Sequence, residues 1–395
     1  MKRRIKLLSL LLSVTLLLSG CANSVNSSKT NQVSTPQVIN VKEEQRQSGS
    51  KQNTKTISIG KDFYYLYNNL DSGHKKVYSE ILESLSTMGK EVKVSTVNKK
   101  VLDKAFMCVM NDHPELFYVS GYQYTQEWSE EGVTGILFSG AYTMSKEDVI
   151  KYKQAIDKRV NSCLSKMPVS DDEYDTIKYL YEWVIQNTEY DKSVKDNQTI
   201  CSVFLGGRSV CNGYAKSLQY LLQKLGIQCV LVTGYANNER HAWNIVRING
   251  KYYHIDPTWG DASYSYKQIK SSDSDIPEIN YDYFLITKNE VLRTHSYEEI
   301  VRLPDCSTKD DNYFVKEGLL LDSYNEELLS RIFGSETAKS TGCVSLKCSS
   351  ESCYDTTLIK LISWNQVFKF TGNKDASISY TSNDQQRIIS FWNIY

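Results

Sequence analysis

Cys211, His241 and Asp256 are the residues of this 395-residue chain whose types could together do nucleophilic chemistry. A cysteine thiolate attacks a carbonyl carbon, an imidazole carries the proton to the leaving group, and a carboxylate orients that imidazole and stabilises its charged form. The chemistry would be acyl transfer from a peptide or amide through a thioester. An oxyanion donor is also required. The backbone N–H of Cys211 is one candidate, and the side chain of Gln198, in the polar loop ahead of it, is a second.

Local elements must position these residues. Tyr214, Leu218, Leu221, Leu222 and Leu225 recur at helical spacing, and Gly226 supplies a stop. Counting back along that stripe puts Cys211 at the helix N-terminus on the inward face, where unpaired N–H groups and the helix dipole favour a thiolate. Position alone favours a buried structural cysteine over a catalytic one. The second element is a hairpin: HAWNIVRI and KYYHIDPTW flank Asn249-Gly250, a strong two-residue turn signal. In that register Ile248 faces Lys251, Trp243 faces Asp256 and His241 faces Thr258. His241 and Asp256 then become diagonal neighbours on one face, with backbones ~7–8 Å apart. His254 shares the face but lies further in, as a satisfied core histidine would. The polar run ANNER places His241 at the sheet's edge.

Around this hairpin, Ser170-x-x-Glu173 reads as a capping box ahead of the stripe Ile177, Leu180, Tyr181, Val184 and Ile185. QCVLVTGY reads as a strand, and YDYFLIT as a last β element. Upstream, two helical stripes, the strand-like runs ELFYVSGYQY and GVTGILFSGAYT, and a further helix make an α+β module, with His113-Pro114 ending its second helix. Downstream, NEELLSRIF reads as a helix, and TTLIKLISW and QRIISFWNIY as strands of a small β-rich module.

The N-terminus reads as an address. Lys2, Arg3, Arg4 and Lys6 precede the apolar run Leu7–Leu18, too short to span a bilayer as a helix. Leu18-Ser19-Gly20-Cys21 then resembles a bacterial lipobox, so Cys21 is the expected lipidation site. The expected location is the extracellular face of the bacterial membrane, reached through a lipid anchor. The polar segment behind it cannot bury enough surface to order itself and reads as a tether. Formal net charge is zero and no basic block lies beyond the leader, which argues against a nucleic-acid partner. Of ten cysteines, nine remain after Cys21. With Cys211 as a free nucleophile, eight could pair, but an export signal does not prove that any do. Cys343, Cys348 and Cys353 lack the histidine or CxxC pair a metal knuckle needs, so packing or disulfides fit them better.

Val210-Cys211-Asn212-Gly213-Tyr214-Ala215, His241-Ala242-Trp243-Asn244 and Tyr253-His254-Ile255-Asp256-Pro257-Thr258-Trp259 together resemble the three motifs of the transglutaminase-like superfamily. The nearest likeness is to bacterial exported proteins with a cytokinesis-protein-3-type domain, which DHPELFYV and NYDYFLIT also suit. The resemblance implies a papain-like α+β core and a Cys-His-Asp triad at Cys211, His241 and Asp256; the sequence shows no EF-hand-like calcium loop and none of the extra domains of animal transglutaminases, so calcium dependence is not implied, and no cofactor is expected. The expected organisation is a leader over 1–20, a tether over 21–56, an N-terminal α+β module over 57–165, the catalytic domain over 166–300 and the β-rich module over 301–395. The substrate class is protein or peptide, in a cell-wall setting, with hydrolysis favoured over amine transfer. Two other readings stay open: a non-catalytic binding or scaffolding module, and a zinc site built from Cys211, His241 and Asp256.

Overall fold

A computed structural model describes residues 63–265, 277–372 and 378–395, together with the backbone of 12–14. Cys21, the tether and the rest of the leader lie outside the described residues. The fold is α+β. By its contacts the chain divides into two units, Met1–Asn244 with Tyr297–Leu303, and Ile245–Ser296 with Pro304–Tyr395.

In the first unit, Leu12–Val14 (β1) is itself an edge strand, antiparallel to Val119–Ser129. Helix α1 (Ser72–Thr87) and helix α2 (Lys99–Asp112) bury Val77, Ile81 and Leu85 and Leu102, Ala105, Phe106 and Val109, as their spacing predicts. His113 is the C-cap of α2, and its buried ring sits between Tyr78 Oη at 2.9 Å and Glu115 at 2.7 Å. Between and after them, Val92–Val94 (β2), Val119–Ser129 (β3) and Gly132–Tyr142 (β4) build an antiparallel sheet in the order β1-β3-β4-β2. Helix α3 (Lys146–Leu164) follows.

Helix α4 (Glu173–Gln186) buries Ile177, Leu180, Tyr181, Val184 and Ile185. Its cap is not the expected one. Asp172 is the N-cap and accepts from Tyr174 N, while Ser170 stands outside the helix, its hydroxyl on Asp175 and accepting from Asp172 N. Asp172, immediately before the helix, caps as well as a serine would and takes the place. Glu189–Tyr190 (β5) and Arg208–Ser209 (β6) pair in parallel. Then come α5 (Cys211–Lys224), Cys229–Ala236 (β7) and the adjacent strand β8 (Glu239–Ile248). Asn237 and Asn238 both have positive φ, 47° and 65°, so β7 and β8 are joined by a tight turn. Glu239 and Arg240, expected in a polar loop, therefore belong to the strand.

In the second unit the chain leaves β8 through Asn249 and Gly250, φ 49° and 81°, the type I′ geometry that Asn-Gly favours, into Lys251–Ile255 (β9). YDYFLIT is not a strand. Asn280 accepts from Asp282 N, Leu285 takes φ 54°, and Ile286 alone pairs, with His254. Its apolar side chains are buried through turns. Short helix α6 (Lys288–Val291) and strand β10 (His295–Tyr297) follow.

The C-terminal part has the expected helix, α7 (Glu326–Phe333), then α8 (Glu336–Thr341). Its sheet runs Leu320–Leu321 (β11), Cys343–Cys348 (β12), Ile388–Trp392 and Ser379–Asn383. TTLIKLISW is helical rather than a strand. Ser350 caps α9 (Glu351–Leu358) by accepting from Cys353 N, and a π-helical turn continues it to Ser363. From Cys353 onward, Tyr354, Leu358, Leu361 and Ile362 keep a helical period and pack on one core. The shorter window starting at Thr356 showed only its local alternation. In chain order, Ser379–Asn383 is β13 and Ile388–Trp392 is β14, an antiparallel hairpin.

Candidate active site

Cys211 is the first residue of α5. Its N-cap is Val210, which has no side-chain oxygen to offer, so the first-turn N–H groups are not closed off by a capping side chain. The helix is held firmly. Cys211, Tyr214, Leu218, Leu221 and Leu222 are all buried, and Tyr214 donates to Thr188 O at 2.7 Å. Gln219 donates to Asn111 O at 2.7 Å, and Gln223 to Asp112 O at 3.0 Å. The helix ends as Gly226 suggests. With φ 76° at Gly226, Ile227 N reaches Leu222 O and Gly226 N reaches Gln223 O.

The loop ahead of the helix packs directly on it. Val210 N donates to Asn197 O, and the Ser209 hydroxyl meets both Asn197 O at 2.8 Å and Ser202 Oγ at 2.7 Å. Gln198 lies in this loop. Its Oε1 accepts from Asn212 Nδ2 at 2.9 Å, and its Nε2 donates to Asn197 Oδ1 at 3.2 Å. It is therefore tied to the residue immediately after Cys211.

His241 is on β8 in the same unit as Cys211. Arg240 pairs with Glu298 at 2.6 Å, and Glu298 N bonds Thr233 O, which anchors the start of the strand. The His241 ring stacks on Trp243 with centroids 6.0 Å apart. Ala242, next to it, shares a small buried cluster with Cys211, Ala215 and Leu231, and Asn244 donates to Ala215 O at 3.1 Å. The first turn of α5 thus lies on the strand that carries His241. Both groups are well covered, Cys211 being 1% and His241 7% exposed.

Asp256 belongs to the second unit, immediately after β9. Its Oδ1 accepts from Thr258 N at 2.9 Å and Trp259 N at 3.1 Å, and its Oδ2 stands 3.2 Å from His295 Nε2. His295 is buried, between the rings of Trp259 at 4.6 Å and Tyr283 at 5.4 Å. Sequence reasoning passed over His295. It sits in THSY, with no periodic pattern and no motif beside it to single it out. His254 is buried, with its backbone paired to Ile286. Burial, helped by His295 and Lys288, pushes its imidazole down to about 3. It stays neutral at physiological pH, which suits a core histidine better than a working base.

The nine described cysteines form no disulfide with one another. Burial pushes the thiols of Cys108, Cys163, Cys201 and Cys306 up to about 12, and that of Cys229 further. Those five are held as thiols and are poor nucleophiles.

Residues 165–257 match the model of the transglutaminase-like superfamily, so the chain carries a domain of that superfamily there. Cys211, His241 and Asp256 all fall inside the match. Kyphoscoliosis peptidase of Mus musculus is 24% identical over 128 residues, 28% of this chain and 19% of that protein. Its Homo sapiens counterpart is 25% identical over 125 residues, 27% of this chain and 18% of that protein. The match therefore spans about a fifth of the length of these relatives. A solved TGase structure aligns with 35% of this chain and 44% of its own, at 16% identity and a TM-score of 0.26.

Proposed function

We propose that the domain is a cysteine acyl-transfer enzyme acting on peptide or amide bonds, with Cys211 as nucleophile, His241 as proton carrier and Asp256 as its orienting carboxylate. The observation that carries the reading is the placement of Cys211 as the first residue of α5, packed with Ala242 beside His241. A helix N-terminus carries partial positive charge, which suits an attacking sulfur. The thiolate attacks the carbonyl carbon, and the tetrahedral intermediate is stabilised by the Cys211 N–H and, in this reading, by the Gln198 amide. Collapse expels the amine, which takes its proton from His241 and leaves a thioester on Cys211. Water, deprotonated by His241, attacks that thioester and releases the acid and the thiol. An amine in place of water gives transfer instead.

Hydrolysis is the outcome proposed. The name of the curated relatives, a peptidase, supports it over the short stretch they share. The setting proposed is the extracellular face of a bacterial membrane, with Cys21 lipidated, the tether holding the folded part away from the bilayer, and a protein or peptide of the cell envelope as substrate. One observation favours a second reading, a non-catalytic binding module: Cys211 and His241 are almost completely buried.

Iodoacetamide labelling at neutral pH separates the two. The enzyme predicts preferential alkylation of Cys211 over the other cysteines, slowed in His241→Ala. Equal slow labelling of many cysteines would sink it. A peptide-library digest with and without a primary amine then distinguishes new termini from amine incorporation.

A further inference from the structure

The second histidine beside Asp256 has no part in the proposed triad, yet its geometry is that of a group fixing the carboxylate. Asp256 Oδ1 is held by two backbone N–H groups from the turn at Thr258 and Trp259. His295 Nε2 lies 3.2 Å from Oδ2, where a hydrogen bond bears on the rotation of the carboxylate, and both side chains are almost fully buried, at 0% and 1%.

The other ring nitrogen is also placed. His295 Nδ1 lies 2.8 Å from Thr294 Oγ1, and that hydroxyl also lies within reach of Tyr283 Oη at 3.2 Å and Val291 O at 3.4 Å. The orienting role proposed for Asp256 needs an ionised carboxylate, which can only accept, so in this reading His295 Nε2 carries a hydrogen. A neutral His295 then accepts the Thr294 hydroxyl proton at Nδ1; an imidazolium instead donates there, and the hydroxyl turns to Val291 O or Tyr283. Both states keep Nε2–H on Asp256. The ring cannot swing away, because Trp259 and Tyr283 pack against it and against each other, with centroids 4.7 Å apart. Within its own unit, Tyr283 and the neutral His254 are among the titratable groups near this ring, with Asp256.

We propose that His295 is a positioning residue of the site, whose Nε2–H donates to Asp256 Oδ2 and fixes the rotation of the carboxylate that orients the triad imidazole. This rests on the proposed acyl-transfer reading. It adds a fourth side chain and a chain of hydrogen bonds, Thr294 to His295 to Asp256, contributed by a segment 39 residues beyond the carboxylate. Misplacing an orienting group by a fraction of an ångström is enough to slow a reaction whose partners must be aligned.

Three measurements on the full chain test it. His295→Phe keeps an aromatic ring between Trp259 and Tyr283 but removes the donor. Iodoacetamide alkylation of Cys211 at neutral pH should fall roughly 10- to 100-fold and its pH profile should move. His295→Gln returns an N–H near the Nε2 position and should restore the wild-type rate and profile at matched thermal stability. Nitrogen-15 NMR of the wild-type histidines should show His295 protonated at Nε2 from pH 7 to 8. An unprotonated Nε2 overturns the proposal whether or not the variants fold, as does wild-type alkylation in His295→Phe or a slow, folded His295→Gln. If wild-type Cys211 is not preferentially alkylated, the acyl-transfer reading fails instead, and the NMR result still reports on the His295–Asp256 bond.

Discussion

Gly213 lies directly against Ser209: a Cβ on Gly213 would collide with the Ser209 hydroxyl and stand 3.1 Å from Asn197 O. The glycine of the Cys-Asn-Gly-Tyr motif is therefore required by the loop that lies over the first turn of α5, two residues past Cys211. Gly213→Ala would gain about 1 kcal/mol of helix propensity. Overpacking against a hydroxyl bonded to Ser202 and a backbone carbonyl costs about 1–3 kcal/mol and shifts the first turn. The expected result is a lower thermal midpoint together with slower alkylation of Cys211. Ser209→Gly in the same chain should restore much of both, and Ser209→Ala less, because its Cβ would remain 3.0 Å away. Full activity in Gly213→Ala would show that the loop yields freely.

Much of this arrangement is legible locally. The stripe from Tyr214 to Leu222 and the stop at Gly226 define α5 with Cys211 at its head, and Asn249-Gly250 takes the two positive φ angles its residues favour. Asn237-Asn238 carried the same kind of signal, hidden inside a run of polar residues that reads as a longer loop. The relation of His295 to Asp256 carries no such local signal. It is made by tertiary closure across 39 residues, where neither periodicity nor a turn motif specifies the partner. TTLIKLISW fails for another reason: its helical period is visible only when Cys353 and Tyr354 are included, and the capping Ser350 lies six residues before Thr356.

Lys347 on β12 and Glu290 on α6 form a buried ion pair at 2.7 Å. Burial pushes the Glu290 carboxyl up, but Lys347 and the Thr287 hydrogen bonds more than offset it and hold it at about 2. Its pKa in the unfolded chain is about 4.3, so the stability it contributes is present above about pH 4 and is lost as pH falls toward 2. Lys347→Met leaves that charge buried without its partner, at a cost of about 3–5 kcal/mol. Denaturant unfolding at pH 7 should show the loss, and Lys347→Met combined with Glu290→Gln should recover part of it. A loss under about 1 kcal/mol in the single variant would mean that Thr287 suffices for Glu290.

His254 makes a prediction of opposite use, in the weakly acidic range. Its imidazole is held down at about 3 by burial, against about 6.5 in the unfolded chain. The unfolded state therefore binds the proton first. The contribution is complete above about pH 6.5 and is lost as pH falls toward 3. In urea titrations between pH 5 and 6, His254→Asn should flatten the rise of stability with pH by up to about 1.4 kcal/mol per unit. An unchanged slope would place a proton on His254 in the folded protein.

Gln198 is the part of the proposed site whose role the chemistry can decide. As folded, its Oε1 accepts from Asn212 and its Nε2 donates one hydrogen to Asn197, so service to an oxyanion draws on the second Nε2 hydrogen or on a turn of the amide. If it does so in the transition state alone, Gln198→Ala should lower kcat roughly 10²- to 10³-fold with KM little changed, the signature of a lost oxyanion donor. Asn197→Ala, which frees the same Nε2 without removing it, should cost much less. Equal and small effects of both substitutions, with a fall in thermal midpoint, would assign Gln198 to holding the loop on α5, leaving the Cys211 N–H as the donor.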